Sequence, residues 1–190
     1  KDCLAIATMD DSGTEYRGED ILLNGRTIEA VGPAVSDALA VDDRVDETVD
    51  GRNMVVLPGF VNTHHHLFQT LTRAVPVSQN VGLFDWLVAN YEIWVGMDPD
   101  CVHASAQVGL GELLLTGCTT SSDHLYLFPK GSPGDLLDWT IRAASTLGIR
   151  FHPTRGSMSR GSSNGGLPPD DCVQTEDEIL RDCERVIAAY

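Results

Sequence analysis

The sequence predicts an α/β fold in two parts. Residues 1–56 read as strands of a small β-sandwich, and residues 57–190 as the first three to four units of a (β/α)8 TIM barrel. Three observations predict this. The first 56 residues pair short aliphatic runs with turn residues. From Pro58 onward, strand-like runs alternate with helix-length segments. The 190 residues fall short of the roughly 250 that a closed barrel needs, so the barrel part is expected to be incomplete.

In residues 1–56, "LAIATMD", "DILLNGRTIEAVG" and "DETVDGRNMVVLPG" are the strand-like stretches. Asn24-Gly25 between "DILL" and "RTIEAV" predicts a tight hairpin, because a primed turn needs positive φ at its central residues. A second turn is expected at Asp50-Gly51. Beyond Pro58, "GFVNTHHH" reads as a buried strand. Helices follow over 82–95 and 98–117, the second with Asp98 as N-cap, Pro99 at the first helical position and Gly117 as the stop. "CTTSSDHLY" is the next strand, 134–148 a helix, and "IRFHPTRG" the third strand. The last helix, 175–190, opens on Thr175 with Glu178 three residues on, the capping-box spacing. Strands alternating with helices imply βαβ units and a parallel sheet. The long Gly-, Ser- and Pro-rich loop, 156–171, has the composition of a functional or disordered connection.

Thirteen Lys and Arg against 28 Asp and Glu give a formal charge of −15. Such a field repels polyanions, which argues against nucleic acid or membrane phosphates as partners and leaves a small neutral molecule open. No apolar run reaches the length of a membrane-spanning helix, and the acidic N-terminus lacks a signal-peptide core. Five widely spaced cysteines with no CxxC read as reduced thiols, which points to the cytoplasm.

The chemistry concentrates in "LPGFVNTHHHLFQ". On a strand, side chains alternate faces, so His64 and His66 point one way and His65 the other. Two imidazoles so spaced can reach one metal ion through nitrogen, and neutral histidine suits Zn²⁺ and also Fe²⁺. An isolated HxH pair is as compatible with packed or surface histidines. Its position at a strand end, where barrels carry their chemistry, favours the metal.

The same stretch resembles the first-strand signature of the amidohydrolase superfamily: Pro-Gly, two apolar residues, Asp or Asn, any residue, then His-x-His. Asn62 and Gln69 look like its deaminase branch. "TGCTTSSDH" and "FHPTRGSMS…GGLPPD" are most similar to the bacterial 8-oxoguanine deaminases, and the likeness runs along essentially the whole chain. The resemblance implies a metal-dependent (β/α)8 barrel with a β-sandwich built from both chain ends, and a protein that is commonly a homo-oligomer. It implies His64 and His66 as metal ligands of one Zn²⁺ (or Fe²⁺), with His65 in a packing or supporting role.

It also implies three substrate contacts, each with a second reading. Gln69 has an amide that can donate to and accept from a purine edge, or it is a surface-loop glutamine. Trp94 aligns with a substrate-contacting position and could stack on a heterocycle, or it is core packing on a helix. Arg155 matches a substrate-contacting arginine, or it makes a salt bridge. His124 lines the pocket or makes a structural hydrogen bond.

The implied reaction is hydrolytic deamination of a purine-like heterocycle, foremost 8-oxoguanine to urate and ammonia, with pterins or s-triazines as alternatives. No catalytic acid/base is expected within these residues. The family's glutamate, its metal-bound aspartate and two further histidines come from later strands, so the 190 residues alone are expected to be inactive and poorly folded, needing the remainder of the barrel. Two other readings stay open. One is a non-catalytic, truncated barrel module. The other is a two-metal, ring-opening hydrolase.

Overall fold

The structure, a computed structural model, describes residues 1–40 and 43–190. These form two compact units, Lys1–Pro58 and Gly59–Tyr190.

The first unit carries β1 (Ala5–Ala7), β2 (Glu15–Tyr16), β3 (Ile21–Asn24), β4 (Thr27–Val31), the short helix α1 (Ala34–Ala38) and β5 (Val55–Val56). β1 lies between β2, antiparallel, and β5, parallel. β3 and β4 form a separate hairpin. The two small sheets hold the strand-rich expectation for residues 1–56; α1 was not foreseen. The hairpin turn sits one residue later than the sequence suggests. Asn24 pairs with Thr27, so Gly25-Arg26 is the two-residue loop. Of these only Gly25 takes positive φ, 58°, which a glycine adopts without a Cβ clash. The second turn runs from Gly51, whose carbonyl accepts the Met54 N–H at 2.8 Å.

In the second unit, β6 (Phe60–Asn62), β7 (Cys118–Leu125) and β8 (Arg150–Arg155) form a parallel sheet in the order β6-β7-β8. The helices are α2 (Leu83–Trp94), α3 (Pro99–Leu115), α4 (Leu136–Leu147) and α5 (Glu176–Ala189). Their ends follow the sequence signals. The Asp98 side chain accepts the Cys101 N–H at 2.8 Å with Pro99 beside it. Gly148 closes α4 in the left-handed region at φ 74°. Thr175 and Glu178 form a complete capping box on α5.

On α3, Val102, Ala106 and Leu110 recur every fourth residue and are fully buried, one stripe of a 3.6-residue period. Small residues at Ser105, Ala106 and Gly109 let the backbone approach the 3-10 turn Leu67–Thr72, where a Cβ on Gly109 would stand 2.8 Å from a Leu67 methyl. One apolar cluster gathers Phe68, Trp94, Leu125, Leu127 and Leu136; another gathers Leu67, Leu110, Ala143 and Ile149.

One expectation changes and one is narrowed. The strand anticipated over "GFVNTHHH" is three residues long, and Thr63–His66 lie outside the ladder. Within these residues Phe60 and Val61 are 58% and 64% exposed. The loop after β8 is folded: it holds 3-10 turns at Ser162–Asn164 and Asp170–Cys172, and the Arg160 Nε–H donates to the Asn164 carbonyl at 2.6 Å.

Candidate metal and substrate site

The parallel register sets which side chains share a face. Ser122 lies beside His152 and His124 beside Thr154. Alternation puts these four on one face, and Ser121, Asp123, Leu125, Phe151, Pro153 and Arg155 on the other. Burial agrees: Ser121, Asp123 and Leu125 are 0%, 1% and 0% exposed, under the helices. The first face borders a cavity of about 420 Å³ lined by Asn62, His64, Ser122, His124, His152 and Thr154.

The histidine segment enters this site at the end of β6. Gly59 is required just before β6, since a Cβ would overlap the Thr119 side chain on β7. Asn62 donates to the Ser121 hydroxyl at 3.2 Å. Thr63–His66 then leave the ladder and dock on the end of β7. The His124 N–H donates to the His65 carbonyl at 2.9 Å, and the Leu67 N–H donates to Asp123 Oδ1 at 2.8 Å.

His66 Nδ1 lies 2.8 Å from the His124 carbonyl oxygen. A carbonyl only accepts, so Nδ1 carries a proton, and in the neutral form of the ring the lone pair lies on Nε2. The His64 and His66 rings stand edge to face with centroids 5.0 Å apart. Two imidazoles on one tetrahedral zinc, with Zn–N bonds of about 2.0–2.1 Å, place their centroids roughly 5 Å apart. The tautomer and the spacing therefore fit a shared metal ion. Among the described residues no three His, Cys, Asp or Glu side chains converge on one point, so the pair is a partial ligand set.

His65 faces the other way, towards α3, where a Cβ on Gly109 would stand 3.5 Å from its Cε1. Burial, then the neighbouring His66, lowers its pKa. His124 also has a lowered pKa, from burial and then from His66 and His64. A Cβ on Gly156 would overlap the His124 ring, so that glycine lets the end of β8 close on it. Burial pushes Asp123 up to about 7, against the opposing hydrogen bond from Leu67.

Of the three sequence-expected substrate contacts, the structure brings only Gln69 near the histidines. Its amide N–H donates to the Tyr126 hydroxyl at 3.0 Å, and the Tyr126 ring lies 5.2 Å from His66. Burial pushes the Tyr126 phenol up to about 12, keeping it a neutral hydroxyl.

Trp94 has the core position that was the second of its two readings. It is 0% exposed, packs edge-on against Phe68, Trp86 and Tyr91, and donates its indole N–H to the Thr72 hydroxyl at 3.0 Å. Arg155 makes the salt bridge that was the second of its two readings. It lies on the helix-facing side of β8, its side chain is 4% exposed, and its donors reach Asp182, Gln174 and the Gly156 carbonyl.

Asp123 and Tyr126 are the site residues that sequence reasoning passed over. The signal lay in the alternation of "SSDHLY", which sends Asp123 and His124 to opposite faces at a strand end.

The second unit is thus a parallel βα sheet with an HxH pair just beyond its first strand. The amidohydrolase family model matches residues 55–190, and the chain belongs to that family. The relatives are deaminases and aminohydrolases. The chain is 43% identical over 187 residues to the 8-oxoguanine deaminase of Pseudomonas aeruginosa, covering 98% of this chain and 40% of the relative. It is 34% identical over 191 residues to hydroxydechloroatrazine ethylaminohydrolase of Pseudomonas sp. (strain ADP), covering 97% and 40%. Among solved structures it resembles atrazine chlorohydrolase TrzN from Arthrobacter aurescens TC1 complexed with zinc. That match has a TM-score of 0.86 and 36% identity, over 100% of this chain and 42% of that one. The chain thus spans about two fifths of the length of the relatives it matches.

Proposed function

We propose that these residues are the metal-anchoring first part of a zinc-dependent aminohydrolase that deaminates a purine-like heterocycle, 8-oxoguanine foremost. The observation that carries the reading is the His66 Nδ1–H bond to the His124 carbonyl. That bond uses Nδ1–H and leaves Nε2 of the neutral ring as the nitrogen that would meet a metal ion. His64 and His66 would hold the ion, Zn²⁺ or alternatively Fe²⁺. A bound Zn²⁺ supplies hydroxide at neutral pH by lowering the pKa of its water to about 7.

The chain's other residues bind and orient. Gln69, steadied by the Tyr126 hydroxyl, offers an amide that reads both donors and acceptors of a purine edge. The polar face of Ser122, His124, His152 and Thr154 borders the space in which a small flat ring would lie. The acid/base glutamate and the remaining ligands are assigned to other parts of the whole enzyme. The 43% identity to an 8-oxoguanine deaminase supports that substrate. The likeness to triazine-processing enzymes supports s-triazines as the second reading.

The test uses the full-length enzyme, with 8-oxoguanine converted to urate followed by ultraviolet absorbance before and after chelation. Urate formation that stops on chelation and returns with Zn²⁺ is the expected result. Alanine at His64 or His66 should then lower bound zinc by about 10-fold or more. Turnover of hydroxylated s-triazines or isoxanthopterin with no urate moves the substrate to those rings. A metal-free protein inactive on all three supports a non-catalytic module instead.

A further inference from the structure

We propose that Asp123 is a positioning residue for the paired histidines: its buried carboxylate holds the backbone at Leu67 and so sets where His64 and His66 stand. This rests on the metal reading of those histidines and adds the group that keeps them in place.

Thr63–His66 lie outside the β6–β7 ladder, so strand pairing does not fix them. Three hydrogen bonds from Asp123 and His124 do that work: Asp123 Oδ1 to the Leu67 N–H at 2.8 Å, the His124 N–H to the His65 carbonyl at 2.9 Å, and the His124 carbonyl to His66 Nδ1–H at 2.8 Å. The two from His124 are backbone groups that any residue supplies. The third needs a side-chain acceptor. Leu67 opens a 3-10 turn, and the first N–H groups of a helical turn have no partner within it. Leu67 is 0% exposed, so water does not satisfy that N–H, and an unmet buried donor is costly. The Leu67 carbonyl is held as well, by the Ser105 hydroxyl of α3. The residue after His66 is thus gripped on both sides, and its N–H is gripped by Asp123 alone.

The contact uses one oxygen. Asp123 is 1% exposed, and its Oδ2 has no partner among the described residues. One neutral acceptor at this position therefore suffices for the role. Asparagine supplies it and alanine does not.

The experiment compares full-length wild type, Asp123→Asn and Asp123→Ala. Zinc affinity is measured by chelator competition, and the Co²⁺-substituted proteins are compared by their visible absorption bands. Asp123→Ala should bind zinc about 10–100-fold more weakly, the usual penalty for losing outer support of a ligand, with altered Co²⁺ bands. Asp123→Asn should restore both. A merely structural aspartate would lower the melting temperature and leave metal affinity and Co²⁺ bands unchanged; that result overturns the proposal. So does an Asp123→Asn protein as weak as Asp123→Ala. If Asp123→Ala does not fold, Asp123→Leu, which keeps the volume and lacks the acceptor, takes its place: a loss of about 10-fold or more that Asp123→Asn does not share supports the role, and wild-type affinity overturns it. A wild-type protein that binds no metal ends the metal reading and this one with it, whereas wild-type binding left unchanged in both variants sinks this one alone.

Discussion

Trp94 and His66 are both ring residues beside Phe68, and burial separates their roles. The Trp94 indole is sealed on all sides and spends its only donor on Thr72, so nothing remains for a ligand. His66 commits one ring nitrogen to the His124 carbonyl and keeps the other uncommitted, beside the His64 ring. Trp94→Phe keeps the ring packing and removes the N–H. It should destabilise the enzyme by about 1–3 kcal/mol in urea melts and leave KM unchanged. A raised KM at unchanged stability would return Trp94 to the substrate. The histidine pair was legible in the sequence because spacing by two puts side chains on one side of an extended segment. Trp94 and Arg155 each kept two readings in the sequence, because a family motif gives position along the chain but not the face. Arg155 falls on the odd-numbered, helix-facing side of β8, a placement set by the register of β8 against β7. The hydrogen bonds of Asp123 were equally hidden, since its partner lies 56 residues away.

At the scale of elements, local signals were enough wherever a helix begins or ends on its own side chains. Asp98-Pro99, Gly148 and the Thr175–Glu178 box all mark real boundaries. Strand lengths were less legible. The length of β6 depends on pairing to β7, whose register shifts between Phe60 and Val61, and no residue of "GFVNTHHH" announces that. The hairpin turn slipped by one for a similar reason: Gly25 supplies positive φ, and cross-strand pairing decides which neighbour joins it in the loop. The cap at α3 bears on the site, because Ser105, Gly109 and Leu110 of that helix support the histidine segment. Asp98→Ala removes the acceptor for the Cys101 N–H and should cost about 1 kcal/mol in an equilibrium urea melt. Replacement by Asn should recover most of it. An Asp98→Ala protein as stable as wild type would mean that Pro99 alone suffices to start the helix.

Across the second unit as a whole, β8, α4 and α5 are joined by ionic contacts rather than by apolar ones alone. Arg155 reaches Asp182 at 2.9 Å, Asp182 accepts from Arg185 at 2.9 Å, and Arg185 reaches Asp138 at 2.7 Å. The Tyr190 hydroxyl adds a bond to Asp138 at 2.9 Å. Arg155 also lies with its guanidinium carbon 3.9 Å from the Phe128 ring centre. α5 has no buried residue of its own, so this chain of contacts is a main tie of that helix to the sheet. The Arg155 and Asp182 side chains are 4% and 10% exposed. Breaking a pair so shielded by removing one partner costs about 3–5 kcal/mol, because the other charge is left buried. Asp182 would keep Arg185, which puts the expected loss for Arg155→Met at the low end of that range. The family resemblance makes the opposite prediction, that Arg155 touches substrate. Arg155→Met in the full-length enzyme separates the two. The structural role predicts a lower unfolding midpoint, faster hydrogen exchange across α5 and an unchanged KM in the protein that stays folded. A several-fold rise in KM at an unchanged midpoint would mean that Arg155 leaves Asp182 for the substrate when the site fills.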